Sequence, residues 1–220
     1  MSKEFVPYRP KTYSSDEMDF RSTEFYEWAR TRRTVRKFST KPVPRKIIET
    51  IVKTAGTAPS GANKQPWTFV VVNDLSIKSR IRVAVEAVEK EFYESRISDA
   101  QREALAPLAT NWEKPYLTEA PYLIVVFRQD YAFGENMQKL PHYYVKESVG
   151  IAIGMLIMAI HNVGLVTVTH TPAPIKVLKT LLNRPPNEKP YVLMPVGYPH
   201  EDAMVPNIEK KSLSEIGVFL

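Results

Sequence analysis

The chain alternates between stretches in which apolar side chains recur every three to four residues and stretches in which they run together. Residues 1–20 show neither pattern and read as an irregular arm. Ser22 is placed to cap a helix with Phe25, Trp28, Ala29 and Arg32 on one side. An extended KPVP segment (41–44) leads into a helix whose stripe is Ile47, Ile48, Ile51, Val52 and Ala55. Residues 67–73, WTFVVVN, are apolar and β-branched, which predicts a buried strand. A helix over 75–95 has Ile81, Val85, Val88 and Phe92 on its core stripe, with Glu89 and Tyr93 about 100° round on its flank. Ser98 and Gln101 form a capping box for a further helix through Leu105, Leu108, Ala109 and Trp112, ending near Lys114. YLIVVFR at 122–128 is a second buried strand, and 129–140 a polar loop. Residues 143–162 make a long helix, apolar over most of its surface, which Gly164 ends. LVTVTHT at 165–171 predicts a third strand stopped by Pro172. A short helix with Pro174 in its first turn follows over 174–182. A fourth strand covers 191–198, and the polar tail closes with a short helix near Ser212. No repeat or linker divides the chain, and helices separate most strands, so an α+β domain follows.

Composition narrows the chemistry. The chain has no cysteine, which excludes disulfides, thiolate metal sites and thiol nucleophiles and fits a cytoplasmic protein. The four histidines, His142, His161, His170 and His200, show no metal-ligand spacing, so no metal site is expected. The most apolar window, 148–160, is shorter than the about 20 residues of a membrane span and reads as a buried helix. The N-terminal residues 1–12 have no apolar core of the signal-peptide kind. Net charge is +6, but the basic residues are mixed with acidic ones except at 30–37. That distribution suits small anions better than nucleic acid. No G-x-G-x-x-G, P-loop or G-x-S-x-G pattern follows any strand.

Four groups of residues could carry chemistry. Arg32 and Arg33, with the Thr34 hydroxyl and nearby Arg36 and Lys37, suit a phosphate, or form a solvated basic patch. The loop at 54–67, TAGTAPSGANKQPW, joins small residues to the amides of Asn63 and Gln65. It can approach a flat, polar-edged ligand, or be an ordinary turn in which Asn63 caps its own backbone. Thr167, Thr169 and Thr171 share one face of a strand by alternation, as plain β-formers or as a hydroxyl row beside a cofactor. Glu89, Tyr93 and Lys114 are surface residues taken singly. Together they offer an anion, a phenol and a cation, a set that matches a zwitterionic amino acid.

RRTVRKF (32–38), APSGANKQPWTFVVV (58–72), GLVTVTHTP (164–172) and MPVGYP (194–199) occur in the order and spacing of the nitroreductase-like flavoproteins. The chain resembles that family over residues 22–217, most closely its deiodinase branch. The resemblance implies an α+β, nitroreductase-like fold with a central, mostly antiparallel or mixed sheet flanked by helices. It implies an intertwined homodimer that holds FMN between its subunits. Residues 1–20 would be an arm, and 21–220 a single FMN-binding domain with a lid at about 89–114. Arg32, Arg33 and Thr34 would hold the phosphate and polar edge. Ser60, Gly61 and Asn63 would line the flavin. Thr169, His170 and Thr171 would run along it, the Thr171 hydroxyl meeting flavin N5 as the catalytic contact. Lys210 would reach FMN from the tail. The Ala62 N–H would face the substrate phenolate, Glu89 its ammonium, and Tyr93 and Lys114 its carboxylate. His170 departs from the threonine expected there, and Asn63 and Gln65 follow the general nitroreductase pattern. Vertebrate members carry an N-terminal membrane anchor, which is not expected here. The implied reaction is reductive dehalogenation of a halotyrosine to tyrosine and halide by one-electron steps through a flavin semiquinone. NAD(P)H or a reductase protein would be the reductant. On the same fold the alternative is a general NAD(P)H-dependent nitro- or quinone reductase. The non-enzymatic alternative is a basic nucleic-acid-binding module.

Overall fold

A computed structural model describes residues 5–171 and 176–220. In chain order the elements are α1 (Ser15–Arg30), α2 (Arg45–Gly56), β1 (Trp67–Val72), α3 (Leu75–Glu91), α4 (Asp99–Leu105), α5 (Tyr116–Glu119), β2 (Tyr122–Gln129), β3 (Tyr131–Phe133), β4 (Lys139–Pro141), α6 (Val145–Asn162), β5 (Val166–Thr167), α7 (Val177–Leu181), β6 (Glu188–Gly197) and α8 (Leu213–Ile216). The chain forms two units, Met1–Arg33 and Thr34–Leu220.

In the first unit, α1 begins earlier than the sequence suggests. The Ser14 hydroxyl caps it by accepting from the Glu17 N–H, and Asp16 and Glu17 complement its N-terminus. Ser22, the expected cap, sits inside the helix and donates to the Asp19 carbonyl. No residue of α1 is buried, so no apolar period marked where it starts.

The second unit is built on an antiparallel four-stranded sheet in the order β1-β2-β6-β5. Alternation along β2 explains its unbroken hydrophobicity. Tyr122, Ile124 and Val126 pack towards α2 and α6, while Leu123, Val125 and Phe127 pack with Ile81, Val85, Tyr116, Leu117 and Leu178 from α3, α5 and α7. Helices thus cover both faces of the sheet, so both faces of the strand are apolar. A bulge at Val126/Phe127 lies where Pro190 enters β6. Although α6 has the length and composition of a membrane-crossing helix, Val149, Ile153, Leu156 and Ile160 pack into this core. Gly164, at φ +74°, takes the left-handed conformation after α6 that a side chain would strain.

Several boundaries differ from the sequence expectation. The helix over 75–95 stops at Glu91 and gives way to a π turn, Phe92–Arg96. The Ser98/Gln101 capping box forms, but α4 ends at Leu105, because Pro107 follows and Ala109 turns left-handed. Residues 116–119, read as no element, form α5. The polar loop over 129–140 contains the β3–β4 hairpin. Of the strand expected over 165–171, only Val166–Thr167 and a bridge from His170 to Leu193 pair with the sheet. Pro172 and Pro174, expected to stop that strand and start the next helix, lie outside the described residues.

Candidate active site

The loop after α2 is shaped by residues that tolerate unusual backbone. Ala62, Asn63 and Gln65 all have φ near +50°, a region costing roughly 1–2 kcal/mol for an L-residue. Local bonds hold the loop. The Asn63 N–H donates to the Ser60 carbonyl at 2.9 Å and the Lys64 N–H to the Gly61 carbonyl at 3.0 Å. The Gln65 N–H donates to Ser60 Oγ at 2.8 Å, and Gln65 Nε2 donates to Asn63 Oδ1 at 3.2 Å. The two amides therefore satisfy one another in part. None of these bonds uses the Ala62 N–H. The Gly61 N–H donates to Ser148 Oγ, tying the loop to the start of α6. A Cβ on Gly61 would stand 2.9 Å from the Tyr143 carbonyl oxygen, so only glycine fits this approach.

The threonine row is irregular. Thr167 and Val168 are both buried, which breaks the alternation; beyond them Thr169 and Thr171 are exposed and His170 is buried. Thr34 bridges to Thr167, and the Val35 N–H donates to the Thr167 carbonyl at 3.3 Å. The start of the second unit therefore lies along the threonine segment. Arg32 and Arg33 end the first unit. Lys210 is exposed in the irregular tail before α8.

Glu89, Lys114 and His170 come together although each belongs to a different segment. Glu89 Oε2 lies 3.1 Å from Lys114 Nζ, and His170 Nε2 donates to Glu89 Oε1 at 3.1 Å. Lys114 Nζ also donates to the Asn111 carbonyl and sits 5.4 Å from the centre of the Tyr93 ring. Lys114, a surface residue when taken singly in the sequence, is 3% exposed. Burial alone would raise the Glu89 carboxyl, but the His170 hydrogen bond and the Lys114 charge outweigh it, and the carboxyl is held below its ordinary value. For Lys114 burial prevails and lowers the ammonium, with Glu89 opposing and Arg36 adding to the shift. His170, grouped by the sequence with the cofactor residues, engages both ring nitrogens elsewhere: Nε2 with Glu89 and Nδ1 with the Tyr116 hydroxyl at 3.1 Å.

Tyr116, Glu86 and Ser148 were not singled out from the sequence. Glu86 Oε1 accepts from the Lys114 N–H at 2.7 Å and from Arg82 Nε at 2.8 Å, which fixes the backbone beneath Lys114. It lies one turn before Glu89 on the same helix, a spacing that could have revealed it. Ser148 is a polar residue in the most apolar window of the chain, which was also a readable signal.

The nitroreductase family profile matches residues 29–198. A protein named iodotyrosine deiodinase from Haliscomenobacter hydrossis is 51% identical over 214 residues, covering 97% of this chain and 96% of that protein. The chain belongs to the nitroreductase family, in its iodotyrosine deiodinase branch. Relatives of the same name from Hydra vulgaris and Danio rerio are 47% and 48% identical; the alignments cover 97% and 98% of this chain and 79% and 73% of theirs. A crystal structure of oxidized iodotyrosine deiodinase bound to FMN and 3-iodo-L-tyrosine is similar at a TM-score of 0.76 and 34% identity, covering 88% of this chain and 99% of that one. The nitroreductase NfnB from Mycobacterium smegmatis, at 20% identity and a TM-score of 0.69 over 91% of this chain and 99% of its own, shares the fold. The α+β architecture expected from the sequence is thus the fold of this branch.

Proposed function

We propose that the protein is an FMN-dependent reductive dehalogenase that converts a halotyrosine, with iodotyrosine as the reference substrate, to tyrosine and halide. The observation that carries this reading is the ion pair of the half-buried Glu89 with the buried Lys114, beside Tyr93. It offers one anion and one cation at the spacing of an amino acid's own charges. Substrate would exchange that internal ion pair for two external ones, its ammonium on Glu89 and its carboxylate on Lys114 and Tyr93. Charge-assisted contacts of about 1.5–3 kcal/mol each would then order residues 89–114 as a lid and exclude water.

The donor set fits FMN. Ser60 Oγ accepts from Gln65, which leaves the Ser60 proton free to donate. Thr169 and Thr171 are exposed, and Thr34 lies beside the same segment. Arg32, Arg33 and Thr34 would hold the phosphate, Ser60, Gly61, Asn63, Thr169 and Lys210 the remaining polar atoms, and the Thr171 hydroxyl the flavin ring. When bound, FMN supplies the two electrons that, with a proton, replace the carbon–halogen bond by carbon–hydrogen as halide leaves. NAD(P)H or a reductase protein replenishes them. The Ala62 N–H, spared by the loop's internal bonds, stabilises the phenolate oxygen.

The reading includes a homodimer working in the cytoplasm. Gly150, Ile151 and Gly154 form an exposed stripe on α6, and open space lies beyond both glycines. A second copy would cover it.

Lys114→Ala tests the substrate assignment. The variant is expected to bind 3-iodo-L-tyrosine at least tenfold more weakly, with reduction of a simple nitroarene little changed. Equal effects on both substrates would favour a general nitro- or quinone reductase. A purified protein with no flavin absorbance after incubation with FMN would refute the reading altogether.

A further inference from the structure

His170 connects the two halves of the site. Its backbone is pinned to the sheet, because its N–H donates to the Leu193 carbonyl and its carbonyl accepts from the Leu193 N–H, both at 2.9 Å. Its ring points away from the exposed Thr169 and Thr171 hydroxyls on either side and is 8% exposed. Glu89 can only accept, so Nε2 carries the proton of that bond. Burial pushes the Tyr116 phenol up, so that group keeps its proton, and its hydroxyl pairs with Nδ1 at 3.1 Å. Both nitrogens are thereby committed, and neither is free to pass a proton to a substrate.

We propose that His170 is a positioning residue for the halotyrosine ammonium: through Nε2 it holds the Glu89 carboxylate in its binding rotamer, anchored by its bridge to Leu193 in the segment that also carries Thr169 and Thr171. This rests on the assignment of Glu89 to the ammonium given above. The two bonds of Glu89 then have different fates. The Lys114 contact is the one a zwitterion displaces, since Lys114 turns to the substrate carboxylate. The His170 contact persists and keeps the freed carboxylate from swinging away. A free glutamate would lose its rotamer freedom on binding, whereas a tethered one has already lost it, and preorganisation of this kind strengthens binding without touching the reacting carbon. Glu86, Arg36 and Lys114 are the other charged groups acting on this cluster. None of them supplies a donor to Glu89 Oε1, which His170 holds.

Two amide variants separate the two ring nitrogens. His170→Gln keeps an N–H donor near the Nε2 position, whereas His170→Asn keeps a partner for Tyr116 but stops short of Glu89. With FMN-loaded, full-length enzyme and dithionite as reductant, His170→Asn and His170→Ala are expected to raise KM for 3-iodo-L-tyrosine about tenfold with kcat within twofold. KM for 2-iodophenol, which has neither ammonium nor carboxylate, is expected to stay within twofold. His170→Gln is expected to restore most of the iodotyrosine affinity. Calorimetric titration of 3-iodo-L-tyrosine into the oxidised protein should give the same ranking without turnover. Equal weakening of both substrates, loss of bound FMN, failure of the Gln variant to rescue, or no change in any variant would overturn the proposal. Wild-type protein that does not bind 3-iodo-L-tyrosine removes the functional reading and this inference together; wild-type binding with unaffected variants removes this inference alone.

Discussion

Single residues in this protein are selected by what their immediate neighbours leave room for. Gly61 is the plainest case, since a Cβ would meet the Tyr143 carbonyl oxygen at 2.9 Å and the Tyr144 ring at 3.1 Å. Backbone cannot yield as a flexible side chain can, so Gly61→Ala is expected to destabilise the fold by about 1–3 kcal/mol. It should also weaken FMN retention, read by thermal melting and by flavin absorbance after gel filtration; an unchanged melting point with full flavin content would contradict this. The sequence pointed to this loop because Pro, Ser, Gly and Asn mark a turn whatever surrounds it. It pointed to Glu89, Tyr93 and Lys114 as an anion, a phenol and a cation that together match an amino acid, but not to their contact. The burial of Lys114 and the Glu89–His170 bond depend on three segments meeting, and no local pattern encodes that.

Among elements, the longer ones that pack into the core were the readable ones. The strands β1, β2 and β6 and the helices α2, α3 and α6 carry periodic or unbroken apolar runs because both faces of the sheet are packed. The β3–β4 hairpin and α5 are too short to show a period, and α1 buries nothing. The β6 strand begins on a buried charge. Glu188 accepts from Thr68 Oγ1 at 2.6 Å, while Arg184 Nε and Nη2 donate to its two oxygens at 2.7 and 3.0 Å. Burial would raise this carboxyl, but the bonds from Arg184 and Thr68 prevail and lower it. Its folded value therefore lies below its unfolded one. The resulting stability is fully present above the unfolded value of about 4.3 and is lost as pH falls through the lower, folded value. Glu188→Gln is expected to cost about 2 kcal/mol at neutral pH and to flatten the fall of the urea midpoint on acidification. An equally steep acid loss in the variant would place the titrating group elsewhere.

For the whole molecule, the exposed apolar stripe on α6 is an unfinished surface. Ile151 is 48% exposed in the middle of a helix whose opposite side lies in the core. An obligate interface of roughly 2,000 Å² or more would bury it. On the proposed dimer, Ile151→Glu is expected to shift the protein towards monomer in light scattering and to lower its FMN content. A dimer that persists with full flavin would show that this stripe is not the interface. The second unit contains α6, Ser60, Gly61 and the threonine segment; Arg32 and Arg33 belong to the first.

The sequence by itself determined the apolar periods of the central sheet and its main helices, the turn chemistry around Ser60–Gly61, and the absence of thiol chemistry. Each follows from residue type and spacing along the chain. Tertiary structure alone decided that Lys114 is buried, that Thr167 turns inward while Thr169 and Thr171 stay exposed, and that Asn63 and Gln65 bond to one another. It also decided that His170, which the resemblance grouped with the cofactor residues, reaches across to Glu89. These outcomes depend on which segments pack side by side, and the half-buried Glu89 carboxylate accepts the nearest donor wherever in the chain that donor lies.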